Sequence, residues 1–443
     1  MTTWAAAAER AGGGLRDLTV RNIVRTSAGG TGLRVRLTNA FGDRPVTFGH
    51  VYVGVPASGA ALVPGSNRML TFGGIPEVTL APGTTALSDP LPGHVAPRQR
   101  LAVSLHLQGD GGTLTGRNRA TAPPYPPDTA PGSDATTSHP PRPTIAPDAA
   151  AHPPRPTAAP NTAAHPPPPT AAPDTAAHPP RPGTTSRRDA ASPAYRSLPG
   201  DHAADESGAP YTERVAVWHW LDAVIVTAPG PVPAVAVAVL GDSITTGVGS
   251  ETGHGWTDLL ADRAVRGPWP LAVVNEGVSG GRVLAAGTGR PAEERLTAEV
   301  LTKPGIGAVI LLAGVNDLGA GARADALIGA YRRIVAKAHA AGVRVIGGTL
   351  GPFAGAEYHT PEGELARAAV NAFVRDGGVF DGLANFDAAL RDPADPSRLL
   401  PRYDSGDHLH PSAAGHQAMA AALELAQLIG PDQTAAADRS PVP

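Results

Sequence analysis

Four consecutive thirteen-residue repeats occupy the middle of the chain: HPPRPTIAPDAAA from His139, HPPRPTAAPNTAA from His152, HPPPPTAAPDTAA from His165 and HPPRPGTTSRRDA from His178. Proline at this density removes backbone donors and fixes φ, which blocks helices and sheet ladders alike. The repeats hold almost no large apolar side chain, so burial cannot offset the entropy of ordering them. The stretch from about Thr121 to Pro193 is therefore expected to be a disordered, partly polyproline-II tether, and folded structure must come from the two flanks. The repeat histidines stand alone on this tether, with no second ligand beside any of them, so no dedicated metal site is expected there. A Pro-rich ligand for a partner domain is the other reading of such composition.

The first flank, to about Gly112, reads as short strands between Gly and Pro turns. In GLRVRLTNAFG, Leu33, Val35 and Leu37 fall on one face and Arg34, Arg36 and Thr38 on the other. RLAVSLHLQG repeats the alternation with Leu101, Val103, Leu105 and Leu107. Period-two alternation predicts half-buried strands, and many short strands predict a sandwich. Strand character returns after the repeats in ERVAVWHWLDAVIVTAPG, with Val215, Val217, Trp218, His219 and Trp220. The tether is thus expected to be an insertion in a loop of the β region, where added length costs little closure entropy.

The second flank, from about Pro233, alternates apolar runs with helical patterns. AVAVAVLG, LAVVNEGV, GAVILLAG and VRVIGGTL read as strands. GWTDLLADRAV, AEERLTAEVLTK, RADALIGAYRRIVAKAHAAG, ELARAAVNAFVRD and PSAAGHQAMAAALELAQLIG read as helices. Near-continuous apolar strands between helices predict a parallel sheet covered on both faces, with functional loops at the carboxyl ends of its strands.

Composition removes several chemistries. The chain has no cysteine, so a disulfide, a thiolate metal site and a Cys nucleophile are excluded. The net charge of -3 and the lack of a long basic run argue against nucleic acid as partner. No apolar stretch is long and uncharged enough to predict a membrane span. MTTWAAAAERAGGG lacks the basic start and apolar core of a signal peptide.

The polar candidates cluster at strand ends. The first apolar run ends in Gly241-Asp242-Ser243, the second in Gly277-Val278-Ser279-Gly280-Gly281, the third in Gly314-Val315-Asn316-Asp317. Before the last helix comes Asp404-Ser405-Gly406-Asp407-His408-Leu409-His410-Pro411. Each motif alone has a plain explanation: a Ser after a strand is often a helix cap, and Asn-Asp often a turn. Together and in this order, GDS, the loop Gly, G-x-N-D and D-x-x-H-P resemble the four sequence blocks of the SGNH (GDSL-type) hydrolases. The resemblance covers roughly 234–429. More loosely, the preceding β region resembles the β-domain that stands ahead of this hydrolase domain in some actinobacterial members.

This resemblance implies a three-layer αβα, flavodoxin-like domain with a parallel sheet, preceded by an all-β sandwich. The expected domains are 1–232, carrying the insertion at about 121–193, then 233–432, then a flexible tail at 433–443. It implies a serine esterase with Ser243 as nucleophile, His410 as base and Asp407 three residues before it as the group that fixes the imidazole. An unassisted serine hydroxyl is a poor nucleophile, which is why such a base is needed. The resemblance assigns the oxyanion hole to the backbone N–H groups of Ser243 and Gly280 and to the Asn316 amide. Gly at position 280 is expected because backbone must approach the substrate closely. Asp242 and Asp317 are expected to be structural.

Gly277-Val278-Ser279-Gly280-Gly281 also satisfies G-x-S-x-G, the nucleophile elbow of another hydrolase fold. Only one strand of this domain precedes it, so Ser279 is expected to be a loop residue. His408 with His410 could suggest a metal pair, but no further ligand cluster accompanies them. His416 is expected to be a surface or packing residue of the last helix. No cofactor and no metal are expected.

The substrates implied are short-chain carboxylic esters, acetylated carbohydrate among them, with weak glycan binding by the β region. The contrasting reading is a carbohydrate-binding or surface protein whose α/β domain is a non-catalytic scaffold. The resemblance favours an exported or cell-envelope protein whose start lies upstream of Met1, whereas the absence of a leader favours the cytoplasm.

Overall fold

The computed structural model describes residues 1–118, 194–230, 234–250, 254–287 and 289–430. The repeats, the expected boundary at 232–233 and the expected tail lie outside them. Among the described residues no helix is long and apolar enough to cross a membrane.

The β region consists of antiparallel sheets. In the largest, strand Arg16–Arg25 pairs with Arg100–Asp110, which pairs with Val46–Gly54, and Ala194–Pro199 pairs with Arg16–Arg25 on its other side. In the second, Leu221–Thr227 lies between Thr2–Ala5 and Gly30–Thr38. The alternation explains the core: Leu33, Val35 and Leu37 from one sheet meet Leu101, Val103, Leu105 and Leu107 from the other, with Phe48 and Trp220 between. Strands on both sides of the repeats, Thr113–Asn118 and Ala194–Pro199, belong to this region.

The strands are not half-buried as their alternation predicts. The polar face of Gly30–Thr38 is covered too, and Arg36 and Thr38 are buried. Part of the cover comes from the α/β region: Arg36, paired with Asp222 of the adjacent strand, donates to the Thr302 carbonyl at 2.8 Å. Lys303, wholly buried, reaches Asp222 at 2.9 Å and Glu276 at 3.0 Å. Arg117 donates to the Asn275 backbone oxygen at 2.5 Å and to its side-chain oxygen at 2.7 Å. Ion pairs shared by the two regions therefore replace water on a face whose residues look solvent-facing.

The α/β region is a five-stranded parallel sheet in the order Leu271–Gly277, Val235–Gly241, Ile306–Leu312, Arg344–Gly348, Gly382–Ala384. The first strand in sequence, Val235–Gly241, is internal to the sheet and buried along its whole length. The chain runs from it to one neighbour and then crosses to the other, which makes its carboxyl end a topological switch point. Helices Trp256–Arg266, Ala324–Ala340 and Pro361–Asp376 pack their apolar sides on one core with the sheet.

Three elements depart from expectation. The helix read through Gly342 ends at Ala340, because Gly342 turns left-handed (φ 72°) and Val343 N–H closes on the Ala338 carbonyl at 2.9 Å. The strand Gly382–Ala384 was not expected at all; three residues carry no readable alternation. The last helix stops at Ala421 instead of running to about 430. Arg263 caps it by donating to the Ala420 carbonyl, and also meets the Leu423 carbonyl just beyond at 2.9 Å. The following turn brings Gln427 to the sheet edge, where its amide meets Leu383 N at 3.0 Å and Leu383 O at 3.1 Å. A side chain thus covers an edge that would otherwise expose unpaired backbone groups.

Candidate active site

The switch point gathers the polar candidates. Ser243 opens a short helix, Ser243–Thr246, just after strand Val235–Gly241. Asp242 caps it, accepting from Ile244 N at 3.0 Å. Backbone crowding holds this elbow: a side chain at Gly277 would come within 2.7 Å of Thr246 N and 2.8 Å of the Asp242 carbonyl. The end of the neighbouring strand therefore lies directly against the Ser243 helix.

The second component is the loop 404–411, built by two aspartates. Asp404 accepts from Gly406 N at 2.8 Å and His408 N at 3.0 Å, and its other oxygen lies 2.6 Å from His408 Nδ1. Asp407 accepts from Leu409 N at 3.0 Å and His410 N at 2.8 Å, and its other oxygen lies 2.6 Å from His410 Nδ1. Only the second pair reaches Ser243: His410 Nε2 is 2.8 Å from Ser243 Oγ. Burial acts to raise the Asp407 pKa, but the bonds from the His410 ring and backbone, the imidazole charge and Leu409 N–H outweigh it, and the carboxyl sits well below the usual range. An ionised Asp407 can only accept, so Nδ1 carries the proton and Nε2 is left to accept from the Ser243 hydroxyl. Such a line can draw the hydroxyl proton away as the oxygen attacks.

The third component is the pair of loops that follow strands Leu271–Gly277 and Ile306–Leu312. Asn316, buried at the start of helix Val315–Gly319, donates through Nδ2 to the Gly281 carbonyl at 3.0 Å. The Tyr358 hydroxyl lies 3.5 Å from Asn316 Oδ1 and helps fix which way the amide faces. Asp317 accepts from Val283 N at 2.8 Å and Leu284 N at 2.9 Å, which pins the loop that carries Gly280. Asp242 and Asp317 thus have the scaffold contacts expected of them. Burial pushes the Asp242 carboxyl up to about 7, against the opposing Ile244 N–H bond and the His410 and Arg295 charges.

Gly280 has a conformational reason of its own. A side chain there would meet no protein atom within 4 Å, but its φ of 70° is the left-handed conformation that other residues resist. Conformation rather than crowding by the protein requires glycine.

Ser279 lies in the loop beyond the second strand, its Oγ 3.2 Å from Thr246 Oγ1. That strand does not run through Ser279 into a helix, so the elbow geometry is missing. His416 is fully buried, accepting from Trp256 N at 3.2 Å and meeting the Val248 carbonyl at 2.9 Å. Burial first, and the nearby His410 charge, lower its pKa, and it ties the nucleophile loop to the last helix. Sequence reasoning missed Tyr358, which sits in a Gly/Ala-rich loop with no pattern, and the Asp404–His408 pair, whose i,i+4 spacing was readable but silent about which histidine faces Ser243.

The GDSL-like Lipase/Acylhydrolase family matches the chain over residues 239–418. No curated protein matches it. Among solved structures it is similar to a GDSL-like lipase from Bacteroides thetaiotaomicron VPI-5482, at 19% identity over 43% of this chain and 87% of that one, with a TM-score of 0.34. It is also similar to the psychrotrophic esterase EstA from Pseudoalteromonas sp., at 18% identity over 42% and 93%, with a TM-score of 0.34. An acetylxylan esterase from Geobacillus stearothermophilus is similar at 19% identity over 45% and 96%, with a TM-score of 0.35. With the family match spanning the Ser243 elbow, both strand-end loops and the His410 loop, residues 239–418 form a GDSL-like lipase/acylhydrolase domain.

Proposed function

We propose that the chain hydrolyses carboxylic esters through an acyl-Ser243 intermediate. The observation that carries this reading is the unbroken line from Ser243 Oγ to His410 Nε2 at 2.8 Å and from His410 Nδ1 to Asp407 at 2.6 Å. Ser243 Oγ attacks the ester carbonyl while His410 Nε2 takes its proton. Asp407 stabilises the imidazolium and keeps the ring in register. The imidazolium then returns the proton to the leaving alcohol. A water, deprotonated in turn by His410, releases the acid and restores Ser243.

The oxyanion is met by the N–H groups of Ser243 and Gly280 and by Asn316 Nδ2. One Nδ2 hydrogen is used on the Gly281 carbonyl, and the second serves the substrate. Each such donor is worth about 2.7–4 kcal/mol in the barrier.

The preferred substrates are short-chain esters, acetylated carbohydrate among them. Ser279, Asn316 and the Tyr358 hydroxyl form a polar surround at the strand ends, suited to a polar alcohol more than to a long acyl chain. A scaffold without activity would have no reason to retain this line of bonded groups. The test is kcat/KM across p-nitrophenyl acetate, butyrate, octanoate and palmitate. The reading expects the acetate or butyrate to be best; a steady rise towards palmitate overturns the substrate assignment.

A further inference from the structure

A second cluster of functional side chains lies in the β region. His106 and His50 stand directly opposite each other on the paired strands Arg100–Asp110 and Val46–Gly54. Leu105 and Leu107, on either side of His106, point into the core, so His106 faces the opposite side of the sheet. The pairing is irregular between His106 and Leu107, which re-aims the side chain. Gly49 admits the Gln108 amide beside His106: a side chain at position 49 would come within 2.2 Å of Gln108 Nε2 and 3.1 Å of His106 Nδ1.

Over that face runs the loop that follows strand Ala194–Pro199. It is tied down by Gly200 N to the Asp17 carbonyl at 2.8 Å and by His202 N to Thr19 Oγ1 at 2.9 Å. It delivers Asp201, whose Oδ1 accepts from Ala203 N at 3.0 Å. Asp201 Oδ2 then lies 2.5 Å from His50 Nδ1 and 3.6 Å from His106 Nδ1. One ligand atom from each residue lies within 4.8 Å of the others.

His106 is the independent sign of a ligand. It is only 8% exposed, yet neither ring nitrogen makes a hydrogen bond. A buried imidazole with carboxylates near it but no hydrogen bond to either is costly, and side chains in this setting usually satisfy something. Its Nε2 sits 3.5 Å from Asp17 Oδ1, close enough for Asp17 to fix the ring as an outer partner.

We propose that His50 Nδ1, His106 Nδ1 and Asp201 Oδ2 bind one zinc ion, with the fourth position left to water. Two imidazoles and a carboxylate suit zinc, whereas magnesium and calcium take oxygen ligands. Tetrahedral ligands with bonds of about 2.0 Å lie roughly 3.3 Å apart, so movements of about an ångström complete the site. His50 and Asp201 are partly exposed and provide the entry path. The ion staples the 200–206 loop to two strands of the sheet. This departs from the expectation of no metal, which weighed only histidines close in sequence; strand pairing assembles this set from positions 50, 106 and 201.

The test uses the full chain, stripped with chelator and titrated with zinc chloride against a chromophoric chelator. One equivalent is expected to bind and to raise the urea midpoint of unfolding. His106→Ala and His50→Ala weaken this equivalent by about tenfold or more, as does the near-isosteric Asp201→Asn. Retained ester turnover and circular dichroism show that the variants fold. The repeat histidines, untouched in all three, are the internal control. No uptake by the unmodified chain, or an equivalent bound with unchanged affinity in all three variants, overturns the site.

Discussion

Asp407 holds His410 twice, through the ring at 2.6 Å and through the backbone N–H at 2.8 Å. One carboxylate thus sets both the tautomer of the imidazole and the shape of the loop presenting it. Asp407→Asn keeps an oxygen for the backbone bond but can offer an N–H to Nδ1, which favours the wrong tautomer. The expected loss in kcat is about 10²–10⁴-fold, with KM little changed. The lower end is expected because the Asp407 side chain is 47% exposed, so water can partly replace it. Steady-state kinetics at pH 8 measure the loss, and an unchanged kcat would mean that Asp407 does not act through the ring.

The proposed oxyanion donors make a second expectation. Asn316→Ala removes the amide and lowers kcat by about 10²–10³-fold. Gly280→Ala meets no atom but strains a left-handed residue, for about 1–2 kcal/mol of stability at most. If the loop relaxes to relieve that strain, the 280 N–H moves and kcat falls more than stability does. Kinetics and urea unfolding on the same preparations separate the two effects.

Much of this site was legible because four short motifs fall at the ends of readable strands, in order. Ser243, His410 and Asp407 lie in one hydrogen-bonded line, and Asn316 bonds the Gly281 carbonyl of the neighbouring loop. What sequence could not supply was contact across chain distance. The burial of Arg36 depends on Asp222 and Thr302, and an alternating Arg on a strand looks solvent-facing until another element covers it. Gly382–Ala384 is too short to show a period, and the early end of the last helix depends on Gln427 finding a sheet edge. The 50–106–201 cluster depends on register, which side-chain alternation limits but does not number.

Asp242 makes stability depend on pH. With its carboxyl at about 7 in the fold and about 3.9 in the unfolded chain, the folded state holds a proton that the unfolded state releases between those values. Its stabilising contribution is therefore complete below about 4 and is lost as pH rises through about 7. Asp242→Asn keeps an oxygen to accept from Ile244 N but cannot ionise. The drop in urea midpoint from pH 5 to pH 8 is expected to be smaller in the variant than in the unmodified chain. Equal drops in both would show that Asp242 ionises freely.

Lys303 tests the covered face between the two regions. Lys303→Met leaves Asp222 and Glu276 buried without their shared cation. Breaking a buried pair in this way costs about 3–5 kcal/mol. Urea unfolding should show it as a lower midpoint, and a midpoint unchanged within error would mean that water already reaches these carboxylates.

The most direct test of the account is turnover of p-nitrophenyl acetate by the purified chain beside Ser243→Ala and Ser279→Ala. The account predicts that Ser243→Ala loses activity by several orders of magnitude, on the order of 10⁴–10⁶-fold, while Ser279→Ala stays within about tenfold of the unmodified chain. Loss with Ser279→Ala but not with Ser243→Ala, or no turnover of this and other esters by the unmodified chain, would contradict it.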